Sequence, residues 1–211
     1  MAKQIGISMQ INIKSNIKEV TKWTTDAQKK QIPFATAMAI NATLGIGKGN
    51  SGNRLDKVLG QQMEAKLNNP TPATKKAFYR LRATKTKLVG VLGFKDWAAK
   101  YMQYQIFGGV RASGKKFAIP TRNAKLNKYG NIPNKSGGVV KKKNQKIMTV
   151  NGMTGVYEMH KDKTLKLIIA FKNAATYKPK FPFYKIAQGY INNNFTKNFK
   201  KELDKALKTA K

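Results

Sequence analysis

The chain has 211 residues, with 42 Lys plus Arg against 9 Asp plus Glu and a formal net charge of +33. That length suffices for one sizeable core and no composition break forces a second domain; no apolar run is long enough to span a bilayer, so no membrane partner is expected. Zero cysteines exclude disulfides and thiolate metal sites, and with His160 as the single histidine a zinc centre would be nearly all carboxylate, so neither metal nor other cofactor is expected.

Ile5, Ile7, Met9, Ile11 and Ile13 alternate with Gly6, Ser8, Gln10 and Asn12. This period of two predicts a half-buried strand rather than a secretory signal, and the protein is expected to be made and used without export. Asn16, followed three residues later by Glu19, makes a capping-box-like start. A helix from about Ser15 toward Pro33 is expected, with Ile17, Val20, Trp23 or Thr24, and Ala27 at helical spacing, Trp23 as a core anchor, and a kink or an end at the proline.

Ile32 to Leu44, IPFATAMAINATL, is the most helix-committed and least charged run. Pro33 suits a first turn, and Ala35, Ala37, Ala39 and Ala42 are strong helix formers behind it. Phe34, Met38 and Asn41 then share a face beside a stripe of Ile40 and Leu44, which predicts a helix buried on much of its circumference and ended by Gly45, Gly47, Gly49 and Gly52.

The segment Lys48 to Gly60 is glycine-rich and polar, but Lys48 is followed by Gly49 and residue 42 is alanine, so it is no phosphate-cradling P-loop; a flexible connection is expected. Leu55 to Leu67 reads equally as a short strand or a helix. Asn69-Pro70-Thr71-Pro72 is a turn whose Thr71 could cap a short helix carrying Lys75, Lys76, Arg80 and Arg82. From Thr84, TKTKLVGVLGF predicts a central strand, and Asp96 is expected to cap a helix with Trp97, Tyr101 and Tyr104 as a packing stripe in preference to a base-stacking platform, closing at Gly108-Gly109 ahead of Arg111.

Residues 112–146 have little apolar periodicity and are read as an extended basic loop or arm, containing Lys115, Lys116 and the run Lys141, Lys142 and Lys143. Two readings stay open there, a solvated loop or an arm resting on nucleic acid or a neighbouring subunit. Val156 to His160 and Thr164 to Phe171 predict a hairpin around Lys161-Asp162-Lys163. Glu158, His160 and Asp162 are the nearest thing to an acid–base or metal constellation, and a histidine beside a turn is the simpler account. Tyr177 to Phe183 is an extended aromatic approach to a last helix from about Pro182 to Ala210, with Phe183, Ile186, Tyr190, Phe195, Phe199, Leu203, Ala206 and Leu207 along one face.

These elements define one α+β domain over 1–211: a mixed or antiparallel sheet packed by N-terminal helices and a long C-terminal helix, with the basic loop extending away. Lysine-favouring codon usage accounts for part of the charge but does not deplete Asp and Glu, so the surplus is read as the footprint of a polyanionic neighbour. Arginine is limited to Arg54, Arg80, Arg82, Arg111 and Arg122. Phosphate contact without base reading is therefore expected.

IPFATAMAIN, NPTPATKKAF, ATKTKLVGVLGFKD, YQIFGGVR, the YGN and GGV of the loop, GVYE, and YKPKFPF occur in this order along most of the chain. In that ordered set the sequence resembles the minor tail protein Z family of tailed bacteriophages, the tail-completion proteins. The resemblance implies a structural, non-enzymatic role late in virion assembly, finishing the tail or neck where it meets the head, with the host cytoplasm as the place of assembly. It also implies other tail or neck proteins as partners, a homo-oligomeric ring with six copies favoured, and help for the genome end entering the tail. The family brings no catalytic residues, so Phe34, Asn41, Gly108, Gly109 and Arg111 are motif matches only; His160 and the lysine excess depart from it. Charge density points to Lys75, Lys76, Arg80, Arg82, Lys85, Lys87, Arg111, Lys115, Lys116, Lys141, Lys142 and Lys143 as the surface for phage DNA. A stand-alone, sequence-non-specific nucleic-acid-binding protein is the alternative.

Overall fold

The structure is a computed structural model that describes residues 10–14, 26–47, 54–133 and 142–209. Trp23, the Asn16/Glu19 capping box, the glycines from Gly49 to Gly52 and Lys141 lie outside the described residues, as does the strand pattern before Gln10.

The order is β1 (Gln10–Lys14), α1 (Asp26–Leu44), α2 (Leu55–Lys66), α3 (Pro72–Lys75), β2 (Phe78–Leu81), β3 (Val89–Phe94), α4 (Asp96–Phe107), β4 (Gly109–Pro120), β5 (Gln145–Val150), β6 (Met153–Met159), β7 (Leu165–Tyr177) and α5 (Phe183–Thr209). The fold is α+β, as expected, with two antiparallel sheets in place of one: β1-β3-β2 and β4-β7-β6-β5. β3 is the centre of the first sheet, and β6 and β7 form the expected hairpin.

α1 is the hub of the core. Ala35, Ala39, Ile40 and Leu44 have no exposed surface, while Phe34 is 47 % exposed, so one narrow stripe faces out and the rest of the circumference is covered. Ile40 and Leu44 press on Gly90 of β3 so closely that a Cβ there would lie 2.5 Å from both. Only glycine fits at that crossing without displacing the helix. On its other side α1 packs against α5, where Asn198 Nδ2 donates to Thr43 Oγ1 at 2.9 Å. Leu55, Leu59 and Met63, four residues apart on α2, close the same core with Leu92, Phe94, Met102 and Phe183.

Three expectations need correction, and one open reading is settled. Pro33 lies inside α1, not in its first turn: the described helix runs from Asp26 through the proline to Leu44, the packing of its later turns outweighing the lost backbone hydrogen bond. Leu55 to Lys66 is a helix, its period of four set by burial. α3 is capped by Thr71 as expected but stops at Lys75, so Arg80 belongs to β2 and Arg82 follows it. Lys95 is the N-cap of α4, and Asp96 is its first helical residue, placed to complement the helix dipole rather than to cap.

The loop at 112–146 is shorter than expected. Residues up to Pro120 continue β4 along β7, with an irregularity between Ala112 and Phe117 that hides the alternation, and β5 resumes at Gln145. As an edge strand, β4 tolerates the polar residues that read as loop. Thr121 and Asn123 then tie the chain back to β7, the Thr121 hydroxyl and Asn123 Nδ2 donating to the Leu167 carbonyl at 2.7 and 3.0 Å.

Two of the quoted motifs meet. Gly108 ends α4 at φ 72, and a Cβ on it would lie 2.9 Å from Pro179 Cδ. The Lys180 and Phe181 N–H groups both donate to the Gln105 carbonyl, at 2.7 and 2.9 Å, and the Tyr104 and Tyr177 rings meet at a tilt, 5.4 Å between centres. YQIFGGVR therefore docks YKPKFPF and aims α5 into the core.

Candidate nucleic-acid interface

An open cleft of about 510 Å³ lies between α2 and the α3–β2 segment, with Arg54, Lys57, Lys75, Lys76 and Arg80 facing Asp56 and Glu64. Five cations against two carboxylates leave it electropositive. A second recess of about 400 Å³ shares Glu64 and Lys75 with the first and adds Lys128 and Tyr129, which the loop after β4 carries back toward α3. The two adjoin at Glu64 and Lys75 and together make up a basic track.

The cations in the track are of two kinds. Arg80 donates to the Gly45 carbonyl at 2.7 Å and lies 3.2 Å from Asp56, while Arg54 grips both oxygens of Asp56, at 3.1 and 2.8 Å. Hydrogen bonding to Asp56 pushes the Arg54 guanidinium still higher, so it stays charged. Arg80 thus satisfies an end carbonyl of α1 and sits at its negative pole. Both guanidiniums are anchored to the fold, Arg54 through Nε and Nη2 and Arg80 through Nη1. Lys75 pairs with Glu64. Lys57 and Lys76 have no carboxylate partner among the described residues.

The other expected residues lie elsewhere. Arg82, Lys85 and Lys87 are exposed on the β2–β3 connection, a turn closed by Thr84 and Lys87 bonding each other's backbone at 2.9 and 3.1 Å. Arg111 lies on β4 with its guanidinium 5.2 Å from the Phe117 ring centre, and Lys115 and Lys116 fall in the irregular stretch of the same strand. Lys142 is paired with Glu158, at 2.8 and 2.9 Å to its two oxygens, and Lys143 is exposed beside it. The eleven expected residues that are described therefore do not form one patch: Lys75, Lys76 and Arg80 share the cleft, and the other eight divide between the β2–β3 turn and the second sheet, Lys141 lying outside the described residues.

Arg54, Lys57, Lys128 and Tyr129 were missed by sequence reasoning. Arg54 and Lys57 flank Asp56 in the opening of a helix whose type the pattern left open, and Tyr129 appears in the sequence only as part of YGN. Glu158, His160 and Asp162 are not brought together as a site. Glu158 is held by Lys142 and by Gln145 Nε2 at 2.7 Å, Asp162 accepts from the Thr164 hydroxyl at 2.7 Å, and the His160 N–H closes the turn on the Thr164 carbonyl at 2.9 Å. Among the described residues no cluster of three or more His, Asp or Glu could hold a metal ion, and no helix is long and apolar enough to cross a membrane.

Comparison with known proteins returns no matching family model, no matching curated protein and no matching solved structure.

Proposed function

We propose that this protein is a non-enzymatic structural subunit of a tailed-phage virion that completes the tail or neck at the head–tail junction and touches genomic DNA through phosphates. The observation that carries the reading is the surplus of cations, +33 over 211 residues, far beyond what nine carboxylates can neutralise. The ordered motif resemblance supplies the virion, the neighbouring tail or neck proteins and the ring, six copies favoured. Lysine chemistry supplies the DNA contact, since ammonium groups such as Lys57 and Lys76, without a carboxylate partner among the described residues, neutralise phosphate without reading sequence. Each subunit in a ring would offer the same basic track to the passing duplex.

Two measurements test this. Affinity of the purified protein for duplex DNA is expected to fall linearly on a log–log salt plot, by roughly 10³-fold or more between 50 and 200 mM salt for six phosphate contacts. Electron microscopy of labelled particles is expected to place the chain at the head–tail junction. Salt-independent or absent binding would remove the DNA contact. Salt-dependent binding by a monomer absent from virions would select the stand-alone nucleic-acid-binding reading instead.

A further inference from the structure

We infer that the basic track is a seat for an unpaired stretch of nucleic acid, holding phosphates at Lys57, Lys76 and Lys128 and stacking a base on Tyr129. This deepens the function proposed above and rests on it. Three features of the track carry the inference. It is recessed: the two adjoining hollows, about 510 and 400 Å³, share Glu64 and Lys75 in their walls and are of a size to take a few nucleotides, whereas a duplex turns its bases inward and reaches only a rim. It ends on an aromatic ring: Tyr129 lines the second hollow with Lys128 Nζ over one face of the ring, 5.2 Å from its centre, so a base would stack on the opposite face with a cation across the ring. In a duplex the faces of the bases are covered by their neighbours, so such a ring has a partner only when a base is unpaired.

The third feature is the spacing of the charges. Glu64 stands where the two hollows join and holds Lys75 in an ion pair. A phosphate is repelled from that point and favoured on either side of it, which suits a flexible single strand that can arch over the carboxylate. Arg54 and Arg80 are anchored by Asp56 and Gly45, which limits their reach toward a base edge, and the remaining cations of the track are lysines, so the strand is bound without regard to sequence.

Fluorescence anisotropy of the full chain, with a labelled thymidine oligonucleotide and a duplex of equal phosphate count, tests the inference across a salt series. The single strand is expected to bind at least about fivefold more tightly at matched salt, with Tyr129→Ala and Tyr129→Leu abolishing the margin and Tyr129→Phe keeping it. The double variant K57E/K76E is expected to weaken binding of both probes. Equal affinity for the two probes, or a margin that survives Tyr129→Leu, overturns the inference and leaves the duplex contact standing. Absence of binding to either overturns both, and poly-glutamate competing as well as the single strand would reassign the track to an acidic peptide.

Discussion

Asn41 is 3 % exposed in the middle of an apolar helix, yet both of its polar groups are satisfied by one distant residue. Its Nδ2 donates to the Ala83 carbonyl at 3.0 Å and its Oδ1 accepts from the Ala83 N–H at 2.8 Å, clamping α1 to the chain that leaves β2. Asn41→Ala strands a buried donor and a buried acceptor together, and is expected to cost about 2–3 kcal/mol, read as a lowered midpoint in urea unfolding with an unchanged slope. The sequence marks Asn41 as a polar residue on a buried stripe but not why, because its partner is 42 residues away and meets it only once the helix lies over the first sheet. Arg80 is legible in part for the same reason. Its charge is visible in the sequence; its engagement with Gly45 and Asp56 depends on where α1 happens to end.

Among elements, the β5–β6 hairpin is secured at its open end by Lys142 and Gln145, which both donate to Glu158. The Lys142 ammonium, with help from Gln145, holds the Glu158 carboxyl below its usual range. A carboxyl depressed in the folded state stabilises the fold above its ordinary titration range, and that contribution is lost as pH falls through the depressed value. Glu158→Gln is therefore expected to melt below the parent at neutral pH, with the two curves converging in strong acid, as followed by differential scanning fluorimetry. This hairpin's neighbour, β6–β7, was legible because alternation and a polar turn lie within one stretch of chain. So were β3, with its β-branched run, and the Thr71 cap of α3. The twelve residues of β4 were not, because an edge strand needs no apolar face, and its irregularity between Ala112 and Phe117 breaks the alternation. Two sheets could not be told from one, since β1 pairs with β3 across some eighty residues that carry no local signal of the partnership.

At the scale of the whole molecule, a formal +33 means that folding gathers like charges against their mutual repulsion. Added salt shortens the reach of that repulsion to about 10 Å at 0.1 M. Thermal melting at neutral pH is accordingly expected to shift upward as sodium chloride is raised from low to moderate concentration, and further with sulfate. A downward shift would mean that the few ion pairs, Arg54–Asp56 and Lys142–Glu158 among them, outweigh the repulsion. The same surplus that strains the free protein would be relieved on a polyanion, which ties the stability of the fold to the proposed partner.

The seam between α1 and α5 has a bearing on how the protein comes into being. Thr43 and Asn198 are 155 positions apart, so the first helix, bare on one flank, waits while nearly everything after it is synthesised. At some 5–20 residues per second that interval is on the order of ten seconds, during which a sticky, alanine-rich surface is open to chaperones or to the seams of sibling chains on the same message. A nascent chain stalled before residue 183 should therefore remain digestible by protease around α1, and become resistant only once the final helix has cleared the ribosome.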